Sequence, residues 1–219
     1  MNESPASDGR RWVLSLLLLT FATGLVDAAS VLGLGHVFTG NMTGNLLFVG
    51  FSLAGAHEVS IAASLLAVAG FIAGAAWGGR IVHGKGRRVV HRGFAIELTL
   101  LAAALAVLVF RRAAMRDRIL LVLLAAALGI QGSVARRAGS EFSTVVLTST
   151  LLRAATDTAR KHARESTLRR AAAIAAMVAG AVIGALLLHL GLAWPIFAAA
   201  LIVAAALSLS WSAAIGADR

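Results

Sequence analysis

The chain has 219 residues, 59% hydrophobic and 14% charged, with a net charge of +10 and no cysteine. A soluble domain is roughly 45–50% apolar and about 25% charged, so this composition points to one compact helical domain, 1–219, in a membrane. The absence of cysteine excludes disulfides and thiolate metal sites. The basic residues lie between apolar runs, not in an aromatic-and-basic groove, which fits membrane topology and argues against nucleic acid.

Residues 1–9 are polar and expected to be disordered. Arg10 and Arg11 then precede WVLSLLLLTFATGLVDAASVL. Val26-Asp27-Ala28 is a poor cleavage site for a secretory signal, and further apolar runs follow. The stretch is therefore expected to be a first transmembrane helix, about 12–32. Gly33 and Gly35 loosen its end. FTGNMTGN then brings Thr39, Asn41, Thr43 and Asn45 together with Gly40 and Gly44. In lipid, unpaired backbone is tolerated only where it is buried in protein or lines a cavity, so an internal site is expected here. The apolar segment after it, within 44–56, is short for a span. It is expected to be a re-entrant half-helix, with a seventh crossing as the alternative.

The second helix is expected at about 59–79. Gly70, Gly74 and Gly78 lie on one face at four-residue spacing, leaving bare backbone for close packing. A basic loop runs to Arg92. The third helix, about 93–110, contains Glu97, which is expected to pair with Arg92 or Arg88. The fourth, about 119–135, contains Gln131. The segment 136–170 is basic, interrupted by FSTVVLTSTLL with Thr148. The fifth helix, about 171–190, carries Gly180 and Gly184. The sixth, about 193–214, begins with Trp194-Pro195, and proline suits a first helical turn. With six crossings and both termini in the cytoplasm, sixteen Lys and Arg fall inside and four outside, at 111, 112, 116 and 118. That bias favours this orientation.

A shift of 105 residues sets Gly24 on Gly129, Thr39 on Thr144, Thr43 on Thr148 and TGNLL on TSTLL. Gly70 and Gly74 match Gly180 and Gly184 at a shift of 110, with about five extra residues in the second loop. The fold expected is all-α: six transmembrane helices as two inverted three-helix repeats, about 10–112 and 117–215. Each repeat has a broken or re-entrant segment, after helices one and four. Three helices per unit force the second to enter from the opposite side, a recurring design of secondary transporters.

At these residues the chain resembles a known family. GLVDAASVLGLGHVFTGNMTGNLLFVG is similar to the signature of the YoaK-like bacterial inner-membrane proteins. The Gly-x-x-Asp start falls on Gly24 and Asp27. The Phe-x-x-Asn-Met-Thr-Gly-Asn core falls on Phe38, Asn41, Met42, Thr43, Gly44 and Asn45. Gly129 and Gln131 in GIQGSVARR fit as well, whereas Thr148-Ser149 departs from the Thr-Gly pair expected there. The resemblance implies a six-helix membrane protein, with no activity attached.

Asp27 lies about 15 residues into the first helix, roughly 23 Å at 1.5 Å per residue. An intramembrane carboxylate is costly unless paired, hydrated or protonated, and is a functional candidate by default. The structural alternative is a hydrogen bond to a neighbouring helix or to the broken backbone at Gly33 to Gly35. Asn41, Thr43 and Asn45 supply donors and acceptors for a small solute or ion, or else cap the half-helix themselves. Gln131 is expected to face Asp27 across the pseudo-symmetry axis. Thr148 is the counterpart of Thr43. No nucleophile with a base, no metal motif and no phosphate loop is visible, so neither an enzyme nor a cofactor is expected. The expected role is a small secondary transporter or exporter in the inner membrane, with proton coupling through Asp27 as an added element. The alternative is a membrane-bound interaction or regulatory protein whose basic segment binds lipid or a partner. Expected partners are the bilayer and a small solute, with a homo-oligomer left open.

Overall fold

A computed structural model of the chain describes residues 5–56, 60–81, 87–108, 113–137 and 163–217. Seven helices and no strand occur among them. They are α1 (Pro5–Gly33), α2 (Met42–Leu53), α3 (Ile61–Ile81), α4 (Arg87–Val107), α5 (Ala113–Arg137), α6 (Ala163–Leu188) and α7 (Ala193–Ala217). Thr148, most of the basic segment and the second expected break lie outside the described residues. Helix α1 starts at Pro5, inside the stretch expected to be disordered. Proline has no N–H to lose at a helix start.

Helices α1, α3, α5, α6 and α7 are long and apolar enough to cross a bilayer. Helix α4 packs between α5 and α7. The 12 residues of α2 extend about 18 Å at 1.5 Å per residue, well short of the ~30 Å hydrocarbon core. Helix α2 packs on α3 with Leu46, Leu47, Phe51 and Leu53 exposed. The break therefore has a buried inner side and an apolar outer side.

Helices α1 and α5 form the centre. Their apolar windows are 67% and 61% buried, against 28% for α3 and 17% for α6. Leucines of α1 and α5, with Phe94 and Leu101 of α4 and Ile196 and Val203 of α7, make one apolar core. The outer faces of α3 and α6 show Ile72, Val178, Val182 and Leu186. In water such a surface would be a liability, whereas in hydrocarbon it is matched by its solvent.

Glycine sets how closely the outer helices approach. A Cβ on Gly74 would collide with the carbonyl of Ala126, and one on Gly180 with the carbonyl of Phe21. One on Gly78 would meet the backbone of Ile130, and one on Gly184 that of Leu25. Gly129 stands against the Phe71 carbonyl and the Ala75 nitrogen, as Gly24 does against the Met177 carbonyl and the Ala181 nitrogen. Along these seams residue numbers rise together, so α1 runs parallel to α6 and α3 parallel to α5. The same contacts thus recur in the two halves, at shifts of 105 for α1 onto α5 (126 − 21, 130 − 25) and 106 for α3 onto α6 (180 − 74, 184 − 78). This corrects the shift of 110 expected from sequence. Gly74 and Gly78, not Gly70 and Gly74, correspond to Gly180 and Gly184, and no five-residue insertion is needed before α6. Gly70 has its own contact, on the carbonyl of Val122.

Each of these glycines should resist even alanine. Overpacking a tight contact typically costs about 1–3 kcal/mol. Gly74→Ala and Gly180→Ala should lower the melting temperature of the protein in detergent. Gly79→Ala, where a Cβ meets open space, should leave it unchanged or raise it slightly through helix propensity. Equal melting temperatures for all three variants would remove the glycine seams from the account.

Candidate functional site

The site forms where α1 stops. The last helical carbonyls are taken up by the amides of Leu34 and His36, which bond the carbonyls of Ser30 and Val31. The chain then turns through two left-handed residues, Gly35 (φ +95°) and His36 (φ +61°). Glycine adopts that region freely, while a side chain such as His36 tolerates it less well. The turn sends the chain back along α1, so that Thr39 and Gly40 arrive beside Asp27.

There the Asp27 carboxylate accepts three hydrogen bonds on one oxygen, Oδ1. The donors are the Thr39 amide (2.9 Å), the Thr39 hydroxyl (2.9 Å) and the Gly40 amide (2.8 Å). Two consecutive backbone N–H groups aimed at one anion resemble a nest. Hydrogen bonds to an ionised acceptor are about twice as strong as neutral ones. The Ser30 hydroxyl donates to the Asp27 carbonyl at 3.1 Å and lies 3.5 Å from the Thr39 hydroxyl. Asp27, Ser30 and Thr39 are all buried. The alternative that Asp27 bonds to broken backbone thus fits the geometry, but its partners are Thr39 and Gly40 rather than Gly33 to Gly35.

A second clamp holds the residue before. The Asn45 amide nitrogen donates to the Phe38 carbonyl (2.7 Å), and its oxygen accepts the Phe38 N–H (2.9 Å). One side chain thereby completes both backbone groups of a residue that no helix serves. The Phe38 ring stacks on Phe48 of α2, centroids 6.0 Å apart. A Cβ on Gly44 would press on that ring at 3.1 Å, which is why the MTGN core has no side chain there. Asn45 is fully buried.

The other expected site residues are placed differently. Asn41 is exposed and caps α2, its side-chain oxygen accepting from the Gly44 amide at 3.4 Å. Thr43 is exposed as well. Neither is enclosed by the fold as Asn45 is. Gln131 does not face Asp27. Its amide nitrogen donates to the Thr23 hydroxyl (2.9 Å) and approaches the Leu19 carbonyl (3.4 Å), a full turn of α1 away. Glu97 is buried, its Oε2 without a partner among the described residues. Arg92 is exposed and no ion pair joins it to Glu97, while the side chain of Arg88, the other expected partner, lies outside the described residues. Arg92 and Glu97 both lie on α4, but Glu97 sits on its inner side.

Thr20, Thr23 and Ser30 were not singled out by sequence, yet with Asp27 they form a buried stripe at i, i+3, i+7 and i+10 down the inner face of α1. The threonine hydroxyls bond back to the carbonyls of Leu16 and Leu19. The signal was available: polar residues at three- and four-residue steps inside an apolar run mark one helix face.

A family model described as "Protein of unknown function (DUF1275)" matches residues 15–209. The UPF0700 transmembrane protein YoaK of Bacillus subtilis (strain 168) is 36% identical over 191 residues, which is 81% of this chain and 83% of that protein. No solved structure matches.

The two clamps differ sharply from the exposed residues in what their loss would do. Asn45→Ala should leave the partly buried N–H and C=O of Phe38 without their side-chain partner, at up to about 1–3 kcal/mol for each group. Thr43→Ala should fall within about 0.5 kcal/mol of wild type, as exposed substitutions usually do. Thermal unfolding of both variants in detergent measures the difference, and equal melting points would mean that Asn45 does not hold the turn.

Proposed function

The chain belongs to the DUF1275 family and is a multi-pass membrane protein, and from that premise we propose a small secondary transporter or exporter of a small solute, coupled to protons. The observation that carries the proposal is the buried polar stripe Thr20, Thr23, Asp27 and Ser30, with Gln131 bonded to it and Glu97 buried on α4, inside an otherwise apolar bundle. Polar and ionisable groups within a membrane are expensive, and they mark ion and substrate paths.

The architecture supports the same view. We read the recurring contacts as two inverted repeats, α1–α4 and α5–α7, six crossings in all. Each repeat's first helix is packed by the other repeat's later helices: α1 by α6 and α7, α5 by α3 and α4. The two halves are thus interlocked, and seams of bare glycine backbone let helices lie close along their length. A broken helix near the junction of inverted repeats is where transporters place their sites. The chain would lie in the inner membrane with both termini and the 80–92 loop in the cytoplasm, as its basic residues favour.

A second view is supported by the Asp27 and Asn45 clamps, which are satisfied within the protein. On that view the polar set only holds the fold, and the protein binds lipid or a partner through its basic segment.

Transport in proteoliposomes separates the two. A metabolite and drug library is first screened for compounds that raise the melting temperature. A transporter should show at least one such compound, and adding it should move protons across the vesicle membrane, read with an enclosed pH dye. No stabilising compound, or stabilisation without any solute or proton flux, would favour the interaction protein. Labelling of an Arg88→Cys variant by an impermeant reagent in intact cells would overturn the orientation.

A further inference from the structure

Two buried acceptor oxygens have no donor among the described residues. Glu97 Oε2 and Gln131 Oε1 are both fully buried, and neither has a hydrogen-bond partner among the described residues. The amide nitrogen of Gln131 is already committed to Thr23 and Leu19, which fixes its oxygen on the opposite side of the amide.

The helix register brings the two groups to one level. Gly93 of α4 lies directly against the side chain of Val134 of α5. These helices are successive, joined by a short connection and packed together, so they run antiparallel. One turn forward on α4 from Gly93 is Glu97, and one turn back on α5 from Val134 is Ile130, followed by Gln131. At about 100° per residue, Glu97 is turned only about 40° from the α4–α5 contact and Gln131 about 60°. Gln131 is turned toward α1, as its bond to Thr23 shows. Glu97 lies in the stripe of α4 that also buries Phe94, Leu101 and Ala104 in the core. Both side chains therefore turn to the same side of the α4–α5 contact.

On the elements packed against α4 the described ionisable groups stand near helix ends. On α5 the ionisable groups stand near its ends, Arg116, Asp117 and Arg118 at one and Arg136 at the other. Arg80 ends α3, α7 has none along its length, and His91 of α4 is engaged with Ser210 of α7 at 3.3 Å. On α1, Asp27 is held by Thr39 and Gly40. A buried carboxylate facing an amide oxygen is two acceptors in want of one hydrogen. A single proton satisfies both: it neutralises the carboxylate and supplies the missing donor.

We propose that Glu97 and Gln131 form a buried proton-binding site. The Glu97 carboxyl carries the proton, and the Gln131 amide oxygen accepts its hydrogen bond, directly or across one water. The proposal deepens the transporter reading by placing the coupling proton on Glu97 and leaving Asp27, whose Oδ1 accepts three hydrogen bonds, to hold the turn. It rests on that reading only for what the proton is used for.

Infrared difference spectroscopy tests the site itself. The full chain is reconstituted in proteoliposomes in sodium-free buffer, with its glutamate carboxyls carbon-13 labelled. A label-shifted C=O stretch of a protonated, slowly deuterating glutamic acid should be present at neutral pH and vanish as the pH is raised. It should be absent from Glu97→Gln, unmoved in Asp27→Asn and shifted to higher frequency in Gln131→Leu, where the hydrogen bond is gone. Glu97→Gln should fold, because its amide supplies the donor that the proton supplied. Should it fail to fold, the labelled wild type still decides, since the label separates glutamate from aspartate and slow deuteration marks burial. Absence of that band at every pH, its survival in Glu97→Gln, or a carboxylate band that responds to sodium instead of pH would overturn the proposal. Proton flux without the band would overturn this site and leave a transporter, whereas the band without any flux would support the site and remove the transporter.

Discussion

A bilayer offers no water to backbone groups that a helix leaves unpaired, and the fold depends on how this chain meets that demand at one place. Where α1 ends, Asp27 takes up the amides of Thr39 and Gly40 and the Thr39 hydroxyl on a single oxygen. Asn45 completes the amide and carbonyl of Phe38 from the other side. Backbone groups left unpaired in hydrocarbon cost several kcal/mol each. With the turn closed, the 12-residue α2 packs against α3, and α1 runs parallel to α6.

The rest of the bundle is built by approach rather than by polarity. Hydrocarbon gives helices no hydrophobic reason to associate, so close van der Waals contact does the work. Glycines at the two equivalent seams bring α3 onto α5 and α6 onto α1. This leaves α1 and α5 in the centre, where the polar groups are sheltered from lipid, and puts α3 and α6 outside. The same division explains why the buried groups Asp27, Glu97 and Gln131 lie on α1, α4 and α5, and why the exposed large hydrophobic side chains of α3 and α6 are aliphatic or tryptophan.

Much of this was legible in the sequence. Apolar runs of spanning length located the long helices to within a few residues at most ends, and the glycine spacing marked their close faces. The signature around Asp27 and the MTGN core marked the break. What sequence did not reveal were three-dimensional pairings. The direction of Gln131 toward Thr23 depends on helix rotation, and the exposure of Asn41 and Thr43 depends on which side of α2 meets α3. The shift between the halves was misjudged because Gly70, Gly74 and Gly78 share one spacing. Either pair fits Gly180 and Gly184, and only the partners Phe21 and Ala126 decide between them. Glu97 was expected near the interface beside Arg92 or Arg88 because arginines are near in sequence, and the helix turns it inward, away from exposed Arg92.

The central claim is that the Asp27 carboxylate closes the broken backbone. Site-resolved amide hydrogen exchange of the protein in bilayers measures this directly, comparing wild type with Asp27→Asn and Asp27→Ala. In wild type the amides of Thr39 and Gly40 should exchange as slowly as those of the helical turn around Asp27. In Asp27→Asn, which keeps an acceptor but loses the charge, they should exchange somewhat faster. In Asp27→Ala they should lose most of their protection, while the amides along the α3–α5 seam remain slow. Unchanged protection of Thr39 and Gly40 in Asp27→Ala would contradict the account.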